Sequence, residues 1–103
     1  MSRLADAAVS ATYGRNLAAV EGPAWHARSF GDFWQHMLVA ERSIDAALDA
    51  RLAPWDYAAL APIVEEAGGR VSALDGGPPQ PKQQVISTNG ALHDEVLALL
   101  NQT

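Results

Sequence analysis

The stretch from Pro54 to Gly69 constrains this chain most. A proline suits the first position of a helix, because its ring presets a helical φ and its missing N–H has no partner to lose there. Trp55, Ala59, Ile63 and Ala67 then recur every four residues, flanked by Leu60 and Val64. That spacing predicts one apolar face of a helix over about 54–67. Pro62 removes a backbone donor inside it and is expected to bend it. Gly68-Gly69 ends it, at the position where a left-handed backbone is needed. Val71-Ser72-Ala73-Leu74 follows as a strand. A one-faced helix feeding directly into a strand has to lie on a sheet.

The remaining segments agree with that layering. Phe33, Trp34, Met37, Leu38 and Ile44 predict a helix over about 31–41 whose stripe weakens past Glu41. Ser43 to Asp49 reads as a short strand and Gln84 to Thr88 as another. Asn89 can cap a last helix, with Leu92, Val96, Leu99 and Leu100 on one face. Earlier in the chain, Leu4 to Val9 suits a helical turn or a strand, and Trp25 to Ser29 a strand running into Gly31. The expected fold is α/β, a layered sheet of about four to five strands with flanking helices, in a single domain over residues 1–103.

Composition narrows the function. The net charge is −5, from 12 acidic and 7 basic side chains, so a general affinity for nucleic acid or anionic lipid is not expected. With no cysteine, disulfides, thiolate metal sites and cysteine nucleophiles are excluded. The start of the chain lacks the apolar core of a signal peptide, and no segment is long and apolar enough to span a membrane, so a cytoplasmic chain is expected. His26, His36 and His93 share no metal-ligand spacing. His36 is expected at or partly below the surface, and His93, beside Asp94 and Glu95, on a solvated helix face. The serines lack a Gly-x-Ser-x-Gly elbow, and neither glycine pair leads into a phosphate-binding helix. Trp25, Trp34 and Trp55 suit a core or an interface better than a platform for bases.

Asp56 falls in the first turn of the 54–67 helix, where the positive end of the helix dipole favours a carboxylate. An aspartate held ionised in this way suits a hard cation, although taken alone it is more commonly a helix stabiliser. The wider pattern adds to this. Pro54-Trp55-Asp56-Tyr57-Ala58-Ala59, followed by Ile63-Val64-Glu65-Glu66-Ala67-Gly68-Gly69-Arg70-Val71, closely resembles a signature of the inositol monophosphatase family, Mg²⁺-dependent and lithium-sensitive phosphomonoesterases. Arg28-Ser29-Phe30-Gly31-Asp32 looks like that family's substrate-side glycine turn. Ser87-Thr88-Asn89-Gly90 and Leu92-His93-Asp94-Glu95 look like its closing strand and helix. Gly31-Asp32-Phe33-Trp34, with His36 to Ala40, is most similar to the histidinol-phosphate phosphatase branch.

The resemblance implies a role for each matching residue. Asp56 matches a metal ligand that helps orient the attacking water. Asp49 matches an acidic position contacting the non-phosphate part of the substrate, and Gly31, Asp32 and Phe33 match the turn facing that same part. The implied substrate is a phosphate monoester such as histidinol phosphate, and the implied cofactor is Mg²⁺. The family's first half carries a Gly-x-Glu segment and an Asp-Pro-Ile/Leu-Asp-Gly-Thr motif, and neither is present in this sequence. The chain thus resembles the C-terminal half alone. Mg²⁺ takes about six oxygens, and two-metal phosphoryl transfer needs two ions about 3.5–4 Å apart, which one aspartate cannot hold. No catalytic residue is therefore assigned in the chain alone. Its expected partners are the missing half or a second copy in a homodimer, with a sheet edge or the Trp34/Met37 helix at the contact. The alternatives are a non-catalytic assembly or small-molecule-binding module, or a fold remnant with no function in isolation.

A carboxylate at position 32 suits a cationic substrate, whose ammonium it could pair with. In an enzyme assembled with the missing half, Asp32→Asn is expected to lower the preference for histidinol phosphate over inositol phosphate. Competition assays with the two esters would test this, and an unchanged preference would remove Asp32 from the specificity site.

Overall fold

A computed structural model describes residues 2–12, 14, 16–30, 32–49, 54–80 and 83–102, with the side chains at 32 and 54–56 outside that description. A 3₁₀ turn, Leu4–Asp6, leads into β1 (Ala8–Ala11), then α1 (Leu17–Glu21), β2 (His26–Arg28), α2 (Asp32–Ala40), β3 (Ala46–Asp49), α3 (Pro54–Glu66), β4 (Arg70–Ser72), β5 (Val85–Thr88) and α4 (His93–Leu100). The strands form one mixed sheet in the order β2-β1-β3-β5-β4. β1 runs parallel to β2 and β3, with Val9 opposite Ala46. β5 runs antiparallel to β3 and β4, with Ile86 opposite both Leu48 and Ser72.

Alternation along the strands divides the core in two. Val9, Ala11, Ala46, Leu48 and Ile86 pack on one face with Val20 of α1 and with Leu92, Val96, Leu97 and Leu100 around α4. Ala47, Val71 and Val85 pack on the other with Leu38 and Val39 of α2 and Leu60 and Val64 of α3. Helices of the chain thus pack on both faces of the sheet, and β3 and β5 are buried along their whole length, while the edge strands β2 and β4 reach solvent at Arg28 and Arg70. Among the described residues, the exposed large apolar side chains are Trp25, Phe30, Trp34 and Ile63. Trp34 stacks edge-on against Phe30, with ring centroids 5.4 Å apart. Met37 is partly buried against the core, so of the two residues expected at a contact only Trp34 stands clear. Trp25 and Trp34 are therefore not core residues, and Trp55 lies outside the described side chains. Among the described residues, no helix is long and apolar enough to cross a membrane.

Several expectations are refined. The strand expected at Ser43–Asp49 begins only at Ala46, because Asp45 turns its carboxylate back to accept the Ala8 N–H at 2.9 Å. Leu4–Val9 holds both a turn and the start of a strand, and helix α1, which carries no strong periodic signal, was not foreseen. The buried stripe of α3 is Leu60 and Val64, with Tyr57 and Ala61 beside it, while Ala59 and Ile63 face water. The stripe of four-residue spacing is therefore rotated from the expected one. Branched side chains at 60 and 64 fill the space over Val71 and Val85 better than alanine at 59 would. α3 continues through Pro62, which lies on its exposed side. The carbonyl that loses its partner there can turn to water.

Gly68 closes α3 with φ +91°, a left-handed backbone that a side chain would strain. Gly69 allows a close approach. A Cβ there would stand 2.5 Å from the Thr88 carbonyl oxygen and 2.8 Å from Val64 Cγ1. Backbone and packed core cannot both yield, so Gly69→Ala is expected to destabilise the fold by about 1–3 kcal/mol. Urea unfolding of the two proteins checks this, and equal midpoints would show that the approach relaxes freely.

Candidate functional site at the end of the central strand

Asp49 ends β3 and Asp56 lies in the first turn of the next element, α3. Asp56 is the third residue of α3 and Asp32 the first of α2; their side chains, and Gly31, lie outside the described residues. Phe33 is partly buried against the core. Asp49 is only 2% exposed, a depth the sequence did not indicate.

What surrounds Asp49 is built from α2. Gln35 is fully buried, and its amide is used on every side. Its Oε1 accepts the Ser10 hydroxyl at 2.6 Å and the Thr12 hydroxyl at 3.1 Å. Its Nε2 donates to the Leu48 carbonyl at 3.2 Å and to Asp49 Oδ2 at 3.3 Å. Two lone pairs and two N–H groups are thereby satisfied, the full capacity of the group. Ser10 Oγ also accepts the Phe30 N–H at 2.9 Å, which anchors the segment just before Gly31. Gln35 was not singled out from the sequence. The available signal was a polar residue one turn ahead of Leu38 and Val39, on the face those residues bury.

The histidines depart from expectation. His36 is fully buried, not at the surface, because α2 turns it against β5, where its Nδ1 meets Ser87 Oγ at 2.5 Å. Its Nε2 is buried and meets no hydrogen-bonding partner among the described residues. A proton on Nδ1 leaves a bare lone pair at Nε2, which costs less than a stranded N–H. His93 is likewise fully buried, not on a solvated face. Ser72 donates to the Ala73 carbonyl at 2.8 Å and so accepts from His93 Nε2 at 2.7 Å. Thr88 Oγ1 accepts the Gly90 N–H at 3.0 Å and so donates to His93 Nδ1 at 3.0 Å. The neutral ring thus ties α4 to β4 and β5. This Ser–His pair is sealed in the core, where it has no access to a substrate. The solvated side of that helix is Asp94, which pairs with Arg70 at 3.0 Å.

Burial lowers the pKa of His36 from 6.5 to about 4. His93 is also lowered to about 4, by burial first, then by Arg70, with Asp94 opposing. Among the described residues, no group of three or more His, Asp or Glu side chains is placed to hold a metal ion. The donor set on view therefore does not fit Mg²⁺ by itself. A cleft of about 480 Å³ lies at the opposite end of the sheet, lined by Arg42, Asp45, Gly68 and Asn89 among others, and includes none of the substrate or metal positions implied by the resemblance.

Comparison with known proteins bears on this arrangement. The model of the inositol monophosphatase family matches residues 4–103. The chain is 49% identical to a histidinol-phosphatase of Streptomyces coelicolor over 78 residues, which is 76% of this chain and 29% of that protein. It is 47% identical to a histidinol-phosphatase of Mycobacterium tuberculosis over 77 residues, 75% of this chain and 30% of that one. Among solved structures, the inositol monophosphatase from Anabaena superposes with a TM-score of 0.86 at 25% identity, over 97% of this chain and 45% of the other. The chain thus spans less than half of the relatives it matches.

The buried histidines make stability depend on pH. Above about pH 6.5 both states are neutral at these rings; below it the unfolded chain takes up protons that the native rings refuse until about pH 4. Stability is therefore expected to fall as pH drops through this window. The contribution of His36 alone is about 2 kcal/mol between about pH 7.5 and about pH 5. Urea midpoints across that range test it; a flat profile would mean the rings titrate normally.

Proposed function

The chain belongs to the inositol monophosphatase family, and from that membership we propose that it is the C-terminal portion of a Mg²⁺-dependent phosphomonoesterase of the histidinol-phosphatase kind. The observation that carries this reading is the 49% identity to a histidinol-phosphatase, confined to 29% of that enzyme's length. Asp56, at the start of α3, serves as one metal ligand of the complete site. Gly31, Asp32, Phe33 and Asp49 belong to the side that meets the non-phosphate part of the substrate. The substrate is a phosphate monoester bearing a cationic group, such as histidinol phosphate. In a complete site Asp56 would help hold Mg²⁺, which would supply charge neutralisation at the phosphate and activation of water. Among the described residues no group of carboxylates converges to hold the ion, so this reading assigns the rest of the coordination to the other half.

A second reading has its own support. The sheet is covered on both faces by the chain's helices, around two cores. A half that closes on its own core could be kept as one structural domain, residues 1–103, serving as an assembly or small-molecule-binding module without turnover.

Titration with magnesium, read by phosphate release from histidinol phosphate, separates the two. The chain alone is expected to show negligible turnover. Adding the purified N-terminal half of a histidinol-phosphatase is expected to restore it, and Asp56→Ala to reduce the restored rate by at least about a hundredfold. Persistent silence of the mixture would favour the module. Ordinary turnover by the chain alone would overturn the requirement for a second half.

A further inference from the structure

Every hydrogen-bonding position of the Gln35 amide is committed, and the committed partners lie on two different strands. Oε1 is held by Ser10 and Thr12, at the end of β1. Nε2 is held by Leu48 and Asp49, at the end of β3. The Leu48 carbonyl can only accept, so it fixes the amide with Nε2 toward the β3 end and leaves Oε1 to the two hydroxyls, which can donate. Ser10 then carries the same fix one step further, to the Phe30 N–H. One buried side chain on α2 thus sets the position of Asp49 and of the backbone entering Gly31.

We propose that Gln35 is a positioning residue for the substrate-side end of the site, acting through the Asp49 carboxylate, and through Ser10 on the Phe30 N–H, to favour esters that carry an ammonium group. This rests on the reading that Asp49 faces the substrate. A buried amide is otherwise costly, and a glutamine in an apolar layer would be replaced by leucine or methionine at little loss if packing were its only task. Here it meets a carboxylate that is 2% exposed and would otherwise lose a donor deep in the fold. The amide is one of the groups that hold that carboxylate, and a carboxylate of fixed orientation discriminates between a cation and a neutral hydroxyl better than a mobile one.

The test uses the enzyme assembled with its other half, and two esters, histidinol phosphate and inositol phosphate. Gln35→Met removes both amide functions at similar volume. It is expected to reduce the ratio of kcat/KM for the ammonium-bearing ester over the neutral one by about tenfold, mainly through KM. Asp49→Asn is expected to do the same, and the double variant to go no further than Asp49→Asn alone, because both act through one carboxylate. Should Gln35→Met fail to fold, Ser10→Ala with Thr12→Val frees Oε1 and should lower the same ratio. Equal losses on both esters, or additive effects in the double variant, would overturn the positioning role while leaving the site reading intact. If Asp49→Asn leaves the ratio unchanged, the site reading itself fails. In that case the Gln35 side-chain amide signals of the 103-residue chain, followed by NMR with and without Asp49→Asn, still report whether the pair exists. Signals unmoved by that substitution would overturn the pairing as well.

Discussion

Strand β3 sits third of five in the sheet and is buried along its whole length, so neither of its faces has access to water. Every polar group along it and its neighbours must find a partner inside the fold or carry a desolvation cost of about 1–3 kcal/mol. The sheet nonetheless bears Ser10, Asp49, Ser72, Ser87 and Thr88, all buried. The helices meet that demand. α2 delivers Gln35 to Ser10 and Asp49, and His36 to Ser87. α4 delivers His93 to Ser72 and Thr88. Each helix is thus fixed against the sheet by an apolar stripe and by polar contacts that work in only one register.

This division of labour separates binding chemistry from scaffolding. The two histidines, which a metal or acid–base reading would notice first, are internal fasteners held neutral by burial. The polar contacts that do gather near the ends of β1 and β3 are those of Gln35 with Ser10, Thr12, Leu48 and Asp49. The 480 Å³ cleft at the other end of the sheet is a different place altogether, and its size says nothing about the chemistry of the matched family.

The helices that bury one face through regular spacing were legible in the sequence. Pro54 and Gly68-Gly69 marked the limits of α3, and Leu92, Val96 and Leu100 the inner side of α4. The exact stripe of α3 was not, because Trp55, Ala59, Ile63 and Ala67 keep the same four-residue spacing as Tyr57, Ala61 and Leu60, Val64. Only the shape of the opposing strands decides between them. The depth of His36 and His93 was hidden for a related reason: polar residues next to charged neighbours look solvated until a hydroxyl on another strand is known to face them. Asp49 and Asp56 were legible through resemblance, as a motif with known companions. Gln35 was not, since its meaning lies in four partners spread from Ser10 to Asp49, none adjacent to it in sequence.

The two rims of the sheet, β2 and β4, are each three residues long. Such short rims present too few free amides and carbonyls to recruit a strand from another molecule. Contact with another polypeptide is therefore better served by side chains and helix surfaces than by pairing along these rims, and the same brevity guards this small α/β body against runaway sheet extension.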